Sequence, residues 1–303
     1  GTQDIYYLAE ESDGSVTREL IFDPEVADNL LGGHALALEG DDVPHVAFPL
    51  HDGTRAEIKH AWREESGWTI EDVGHAGNRG ASIPSIVVPP SGNPHVGYRA
   101  FPEFLYYFEH DGAQWTVLTV AQADLLGAPQ LTVDDQDVVR MAYGNEDGEI
   151  RVIDPPDSAG GLTLGVEAAN RAPDVAYDSS GRPHLVFQDN GRNPAKLVHA
   201  VHDGSQWQQS VIGERRVYSD ARLALDSNDV PHVVYMQSDS ATIRYAWMEE
   251  GEWKHGVLGQ TEIGEAAEAI SERWVDVAVT SDDTVVLGYI SEREAVVVRR
   301  IDE

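Results

Sequence analysis

A strand-turn-strand unit recurs along the chain at intervals of 44 to 54 residues, and this period limits the folds open to it more than any other feature. The clearest copy begins at Ala221. It reads Ala-Arg-Leu-Ala-Leu-Asp-Ser, Asn-Asp-Val-Pro-His-Val-Val-Tyr, Ile-Arg-Tyr-Ala-Trp and Gly-Glu-Trp-Lys-His-Gly-Val-Leu, four short strands denoted a, b, c and d. The Pro-His element of strand b returns at His45, His95, His184 and His232, with Arg140 and Val286 in its place in two weaker copies. An aromatic follows three residues later each time, at Phe48, Tyr98, Tyr143, Phe187, Tyr235 and Tyr289. Short alternating strands with turn residues between them predict all-β structure, and a four-strand unit repeating at this period predicts radial blades.

The expected fold is therefore a six-bladed β-propeller of four-stranded antiparallel blades, one domain over residues 1–303. Closure is expected from pairing of the N- and C-terminal strands, with Val16 to Phe22 completing the last blade and the strand at Ile5 to Ala9 outside or on an edge. A seven-bladed ring with one incomplete blade is the alternative. The only helix signal is the Glu and Ala enrichment between Ile263 and Ser271.

The residues that recur are expected to build the scaffold. Equivalent positions around a ring are a whole blade apart, so the Pro-His histidines cannot converge on a metal, and hydrogen bonding between neighbouring blades explains them better. The c-strand aromatics Tyr7, His60, Tyr107, His199 and Tyr245 count as packing residues for the same reason. Aspartates at Asp134, Asp135 and Asp137, and at Asp282 and Asp283, fall in a-to-b turns, where Asp caps hairpins, and match no calcium-loop spacing. No metal and no cofactor are expected.

Composition narrows the partners. A net charge of −32 sets the surface against nucleic acid and anionic membranes. Without cysteine there is no disulfide framework and no thiolate chemistry. No apolar run reaches the length of a membrane span, and the start Gly1-Thr2-Gln3 reads as a processed end. Lysine occurs only at 59, 196 and 254, so 18 of the 21 basic side chains are arginine.

The c-to-d turns Asp111-Gly112-Ala113-Gln114-Trp115, Asp203-Gly204-Ser205-Gln206-Trp207, Gly251-Glu252-Trp253 and Gly67-Trp68 resemble degenerate Asp-boxes, the turn motif of sialidase-like propellers. The Ser and Thr of the full motif are missing. Gly33-His34, Pro44-His45 and His51 are similar in spacing to the histidines of propeller polysaccharide lyases, over one blade. These resemblances imply a propeller, an extracellular or periplasmic setting, and glycans as ligands.

Function is expected where the copies differ, in loops held up by the scaffold. The d-to-a and b-to-c connections share one face. They carry Arg79, Arg99, Arg171, Arg215, Arg216, Arg273, Trp274 and His51 as candidate ligand-binding residues, and His34, His75 and Tyr218 as candidate catalytic ones. Guanidinium groups gathered in this way would form a positive mouth suited to carboxylates or sulfates. Pairing with local acids such as Glu214, Asp220 and Glu272 is the structural alternative. The expected function is binding of an anionic ligand, an acidic glycan foremost, without required chemistry. Two alternatives stand beside it: a uronate lyase, favoured over a sialidase-like hydrolase, and a protein-interaction scaffold.

Overall fold

The computed structural model describes residues 4–301 apart from 11–13, 24–28, 31–32, 41, 52–55, 76–81, 101–103, 123–125, 146, 156, 167–171, 190–194, 214–220, 238–241, 261–274 and 292–294. Every regular element among these residues is a β-strand. The helix expected within 263–271 lies outside the described residues.

The chain opens with a hairpin of β1 (Ile5–Glu10) and β2 (Val16–Phe22). A first sheet follows, made of β3 (Asn29–Leu30), β4 (Ala35–Leu38), β5 (Pro44–His51), β6 (Ala56–Glu64) and β7 (Gly67–His75), with β3 and β4 both pairing β5. The second sheet contains β8 (Ser85–Val87), β9 (His95–Ala100), β10 (Phe104–His110) and β11 (Trp115–Gln122). The third contains β12 (Leu126–Val133), β13 (Val139–Gly144), β14 (Ile150–Asp154) and β15 (Asp157–Leu164). The fourth contains β16 (Asp174–Tyr177), β17 (Pro183–Asp189), β18 (Lys196–His202) and β19 (Trp207–Gly213). The fifth contains β20 (Arg222–Leu225), β21 (Pro231–Gln237), β22 (Thr242–Glu249) and β23 (Glu252–Gln260). The last has three strands, β24 (Val275–Val279), β25 (Val285–Ser291) and β26 (Ala295–Ile301). All pairings are antiparallel and, apart from β3 with β5, join sequence neighbours, as short turns allow.

The sheets stack face against face. Each apolar cluster joins two consecutive layers, for example Ala47, Ile58 and Val73 of the first sheet with Val96, Tyr98 and Phe108 of the second. The second strands are buried along their length, as in Pro183–Asp189, because a neighbour covers both faces. The fourth strands alternate, as in Trp207–Gly213, because their outer side meets water. The a strands β4, β8, β12, β16, β20 and β24 touch in succession. This is a propeller-like order, with strand a innermost.

One turn design recurs between strands a and b. The N–H of the fourth turn residue bonds the carbonyl of the first at Glu39–Asp42, Pro89–Gly92, Asp134–Asp137, Asp178–Gly181, Asp226–Asp229 and Thr280–Asp283. That fourth residue has positive φ, supplied by Gly twice and by Asp four times, Asp being among the residues that tolerate the left-handed region. As expected, the turn aspartates act as caps: Asp134 Oδ1 accepts the N–H groups of Gln136 and Val138. Two also staple neighbouring turns, Asp229 accepting from Ser179 N and Oγ at 2.8 and 2.7 Å, and Asp283 from Ser227 at 2.9 and 2.6 Å.

The N-terminus departs from expectation. β1 is no stray edge strand but pairs β2 from end to end, and β26 pairs β25, so the ladders among the described residues contain no bond between the N- and C-terminal strands. The hairpin sits on the first sheet as the c and d strands of a preceding blade would. Tyr7 meets Trp68 edge-on at 5.5 Å, as His60 meets Trp115 at 5.5 Å and His199 meets Trp253 at 5.4 Å. Likewise Trp68 Nε1 donates to Glu19, Trp115 Nε1 to Glu71 and Trp253 Nε1 to Ser210, each on the fourth strand of the layer before.

Candidate functional site

The recurring histidines bond within their own blade, not between blades as expected. His45 Nδ1 lies 2.9 Å from His60 Nε2, His95 Nδ1 2.6 Å from the Tyr107 hydroxyl and His184 Nδ1 3.0 Å from His199 Nε2; His232 Nδ1 meets the Tyr245 hydroxyl. In two of them the other ring nitrogen faces a turn carboxylate at 3.3 Å, Glu39 for His45 and Asp178 for His184. A strand-b histidine thus bridges the a-to-b turn to a strand-c ring, and that ring in turn can pack on a tryptophan of the next sheet.

The third sheet breaks this pattern. The ladders put Ala142 opposite Val152 where the fourth sheet has Val186 opposite His199, so Val152 takes the aromatic position and Arg140 the histidine position. Its c-to-d turn has no Gly-Trp, and its outer strand carries Gly160-Gly161 just before Leu162, which pairs Val152. Gly161 has φ +89° and lies so close to β14 that a Cβ would stand 2.3 Å from the Val152 carbonyl oxygen, which only glycine permits. With the ring absent and the strand drawn in, a cleft of about 760 Å³ opens between the third and fourth sheets. Arg140, Val152, Asp154, Gly161 and Leu162 form one wall; Tyr177, the turn from Ser180 to Pro183 and the turn from His202 to Gly204 form the other.

The charged groups of the cleft hold one another. Arg140 donates through Nε to Asp134 Oδ2 at 2.8 Å and through Nη1 to Asp154, and its guanidinium lies 5.6 Å from the centre of the Tyr177 ring. Arg182 Nε donates to Asp178 Oδ2 at 2.6 Å. Burial alone would push the carboxyls of Asp134 and Asp178 up, but their turn N–H groups and the guanidiniums outweigh it and hold both below the usual range. Asp203 is also lowered, by the Gln208 side chain first and then by Ser205 and the turn N–H groups. The Tyr177 phenol is pushed up to about 12, chiefly by burial. Asp134, Asp178 and Asp203 are thus ionised at neutral pH and Tyr177 keeps its proton. The cleft offers acceptors, donors and an aromatic wall, a set suited to recognition.

It opens at the end of the sheets that carries the a-to-b and c-to-d turns. The loops expected to bind lie at the other end. Arg79, Arg171, Arg215, Arg216, Tyr218, Arg273 and Trp274 lie outside the described residues. His34 is exposed just before β4, His75 is exposed at the end of β7, and His51 and Arg99 are half-buried near the ends of β5 and β9. His34 adjoins the inner edge of the first sheet and His75 ends its outer strand, a span of three strand spacings or about 14 Å. The cleft residues Arg140, Asp154, Tyr177, Arg182, His202 and Asp203 were not expected. The signal was present, since Val152 interrupts the row of c-strand rings and no Gly-Trp turn follows it.

No protein-family model matches this sequence, and no curated protein matches it. Solved structures share the fold. The SapL1 lectin in complex with alpha methyl fucoside aligns with a TM-score of 0.62 and 17% identity over 91% of this chain and 94% of its own. A mutant of the Aleuria aurantia lectin in complex with Fucalpha1-6GlcNAc aligns at 0.57 and 14%, over 89% and 96%. A Hadza microbial sialidase aligns at 0.57 and 12%, over 91% of this chain and 66% of its own. At such identities the likeness shows a propeller-like all-β fold.

Proposed function

We propose that this chain is a carbohydrate-binding propeller outside the cytoplasm, extracellular or periplasmic, and that the cleft between the third and fourth sheets holds its glycan. The carrying observation is the cleft itself, at the sheet where Val152 takes the place of the ring found in the first, second, fourth and fifth sheets, with polar walls around an open space. Lectins bound to fucosides among the structural neighbours support a glycan as the ligand class. We take the ring to have six blades, one for each inner strand from β4 to β24, with the β1–β2 hairpin as a further two-stranded layer packed on the first blade.

A second reading places an acidic glycan on the opposite face, at an arginine-rich mouth formed by Arg79, Arg99, Arg171, Arg215, Arg216 and Arg273. The concentration of arginines in those loops favours it, and a uronate lyase or sialidase-like enzyme would use the same mouth. One experiment addresses both readings. The full chain is applied to immobilised neutral, uronate-containing, sulfated and sialylated glycans, alone and as Val152→Tyr and Arg216→Ala. Loss in Val152→Tyr with retention in Arg216→Ala supports the cleft, and the reverse supports the mouth. Absence of binding to every glycan overturns the carbohydrate assignment. A rise in absorbance near 232 nm, roughly where the enol ether left by β-elimination absorbs, would make the chain a lyase.

A further inference from the structure

We infer that the cleft takes one neutral, hydroxyl-rich sugar per chain and rejects uronate, sulfated and sialylated sugars. The inference rests on the cleft being a glycan site, and two independent observations carry it.

The first is the state of the charges. Two guanidiniums, Arg140 and Arg182, reach the cleft, and both already hold carboxylates: Arg140 those of Asp134 and Asp154, Arg182 that of Asp178. Asp203 adds a fourth carboxylate on the c-to-d turn. With the buried partners Asp134 and Asp178 counted, four carboxylates surround the two guanidiniums, on a chain of net charge −32. An acidic sugar would have to displace Asp154 from Arg140 or compete with Asp178 for Arg182, and would then sit beside both Asp154 and Asp203. A hydroxyl meets no such conflict, because it donates and accepts at once. It can donate to Asp154, whose side chain is 61% exposed, or to Asp203, and accept from the guanidinium edge of Arg140 or Arg182. Paired carboxylates and guanidiniums thus become a matching surface for vicinal hydroxyls, while Leu162 and the Tyr177 ring, both half-buried, offer apolar area to the C–H face of a ring.

The second is the filling of the other interfaces. Tyr7 packs on Trp68, His60 on Trp115 and His199 on Trp253, so the space homologous to the cleft is occupied by a ring pair at each of these interfaces. In the second sheet Tyr107 occupies the position and lies in the cluster with Val139 and Ile153 of the third. The last sheet also has an aliphatic residue at this register, Val298 opposite Gly288, but among the interfaces between consecutive layers from the hairpin to the last sheet Val152 alone replaces the ring. Along these interfaces the repeat therefore supplies one site, where an unbroken repeat would supply several alike.

Titration calorimetry of the full chain tests this with a panel of methyl hexosides, free glucuronate and sialyllactose, alongside Val152→Tyr and Asp154→Asn. Tyr stands at the equivalent position in the second and fifth sheets, so the scaffold already accepts it there. The expected result is saturable binding of at least one neutral hexoside at about one per chain. Affinity should fall about tenfold or more in Val152→Tyr and about fivefold or more in Asp154→Asn, with melting temperatures close to the parent. Binding restricted to glucuronate or sialyllactose, a stoichiometry of two or more, or undiminished affinity in both variants would overturn the inference while leaving carbohydrate binding in place. No binding of any sugar here or on the immobilised glycans would remove both.

Discussion

At the level of single residues, the histidines of this fold matter as buried neutral groups. Burial, with His184 as a second cause, pushes the His199 imidazole down to about 3, and burial holds His95 at about 4, against an ordinary value near 6.5. The folded state therefore refuses a proton that the unfolded chain accepts below about pH 6.5. Stability from these groups is complete above that value and declines as the pH falls through it toward the folded values. His199→Tyr would replace the pair with the His–Tyr pair of the second and fifth sheets. In urea melts at pH 7 and pH 5, the parent should lose more stability than the variant, by about 1–2 kcal/mol. Equal losses would show that His199 does not titrate as a buried group. The same row shows what was legible. The rings at 60, 107, 199 and 245 are visible as a repeat, and so is their interruption at Val152. That the interruption opens a cleft was not visible, because its width depends on Gly161 and on turns of a sheet some 20 to 50 residues away.

At the level of elements, the hairpin β1–β2 is held to the first sheet by side-chain contacts, with no strand ladder between them. Ile5 and Ile21 pack with Val46, Phe48 and Ala61, while Trp68 covers Tyr7 and donates to Glu19. Trp68→Ala removes the ring contact and the bond together and should cost about 2 kcal/mol, less than a fully buried tryptophan because Trp68 is half-buried. Amide exchange should accelerate across 5–10 and 16–22 before it does in β17 or β21, whose strands are buried throughout. Uniform acceleration would mean that the hairpin unfolds only with the whole. Strand order and turn positions could be read from the Pro-His and Asp-Gly spacings. The hairpin's place as the c and d strands of a preceding blade could not, because it rests on Tyr7 and Glu19 meeting a tryptophan more than 45 residues away.

At the level of the whole molecule, the charge of −32 opposes compaction, and few cations offset it. The Debye length falls from about 10 Å at 0.1 M salt to about 3 Å at 1 M. Raising sodium chloride from 0.05 to 1 M should therefore raise the melting temperature by several degrees, the relief of repulsion exceeding the loss from exposed pairs such as Arg63–Glu19. A fall would mean that ion pairs, the Arg140–Asp134 clasp among them, contribute more than repulsion removes. Fold class and blade composition were set by the sequence alone, because a repeat whose strands must bury both faces has few arrangements beyond radial stacking. Which face carries the cleft, which arginines are already held by aspartates, and which blade lacks its ring contact were decided by the tertiary structure. They depend on distances between residues of different blades, and no local pattern encodes those.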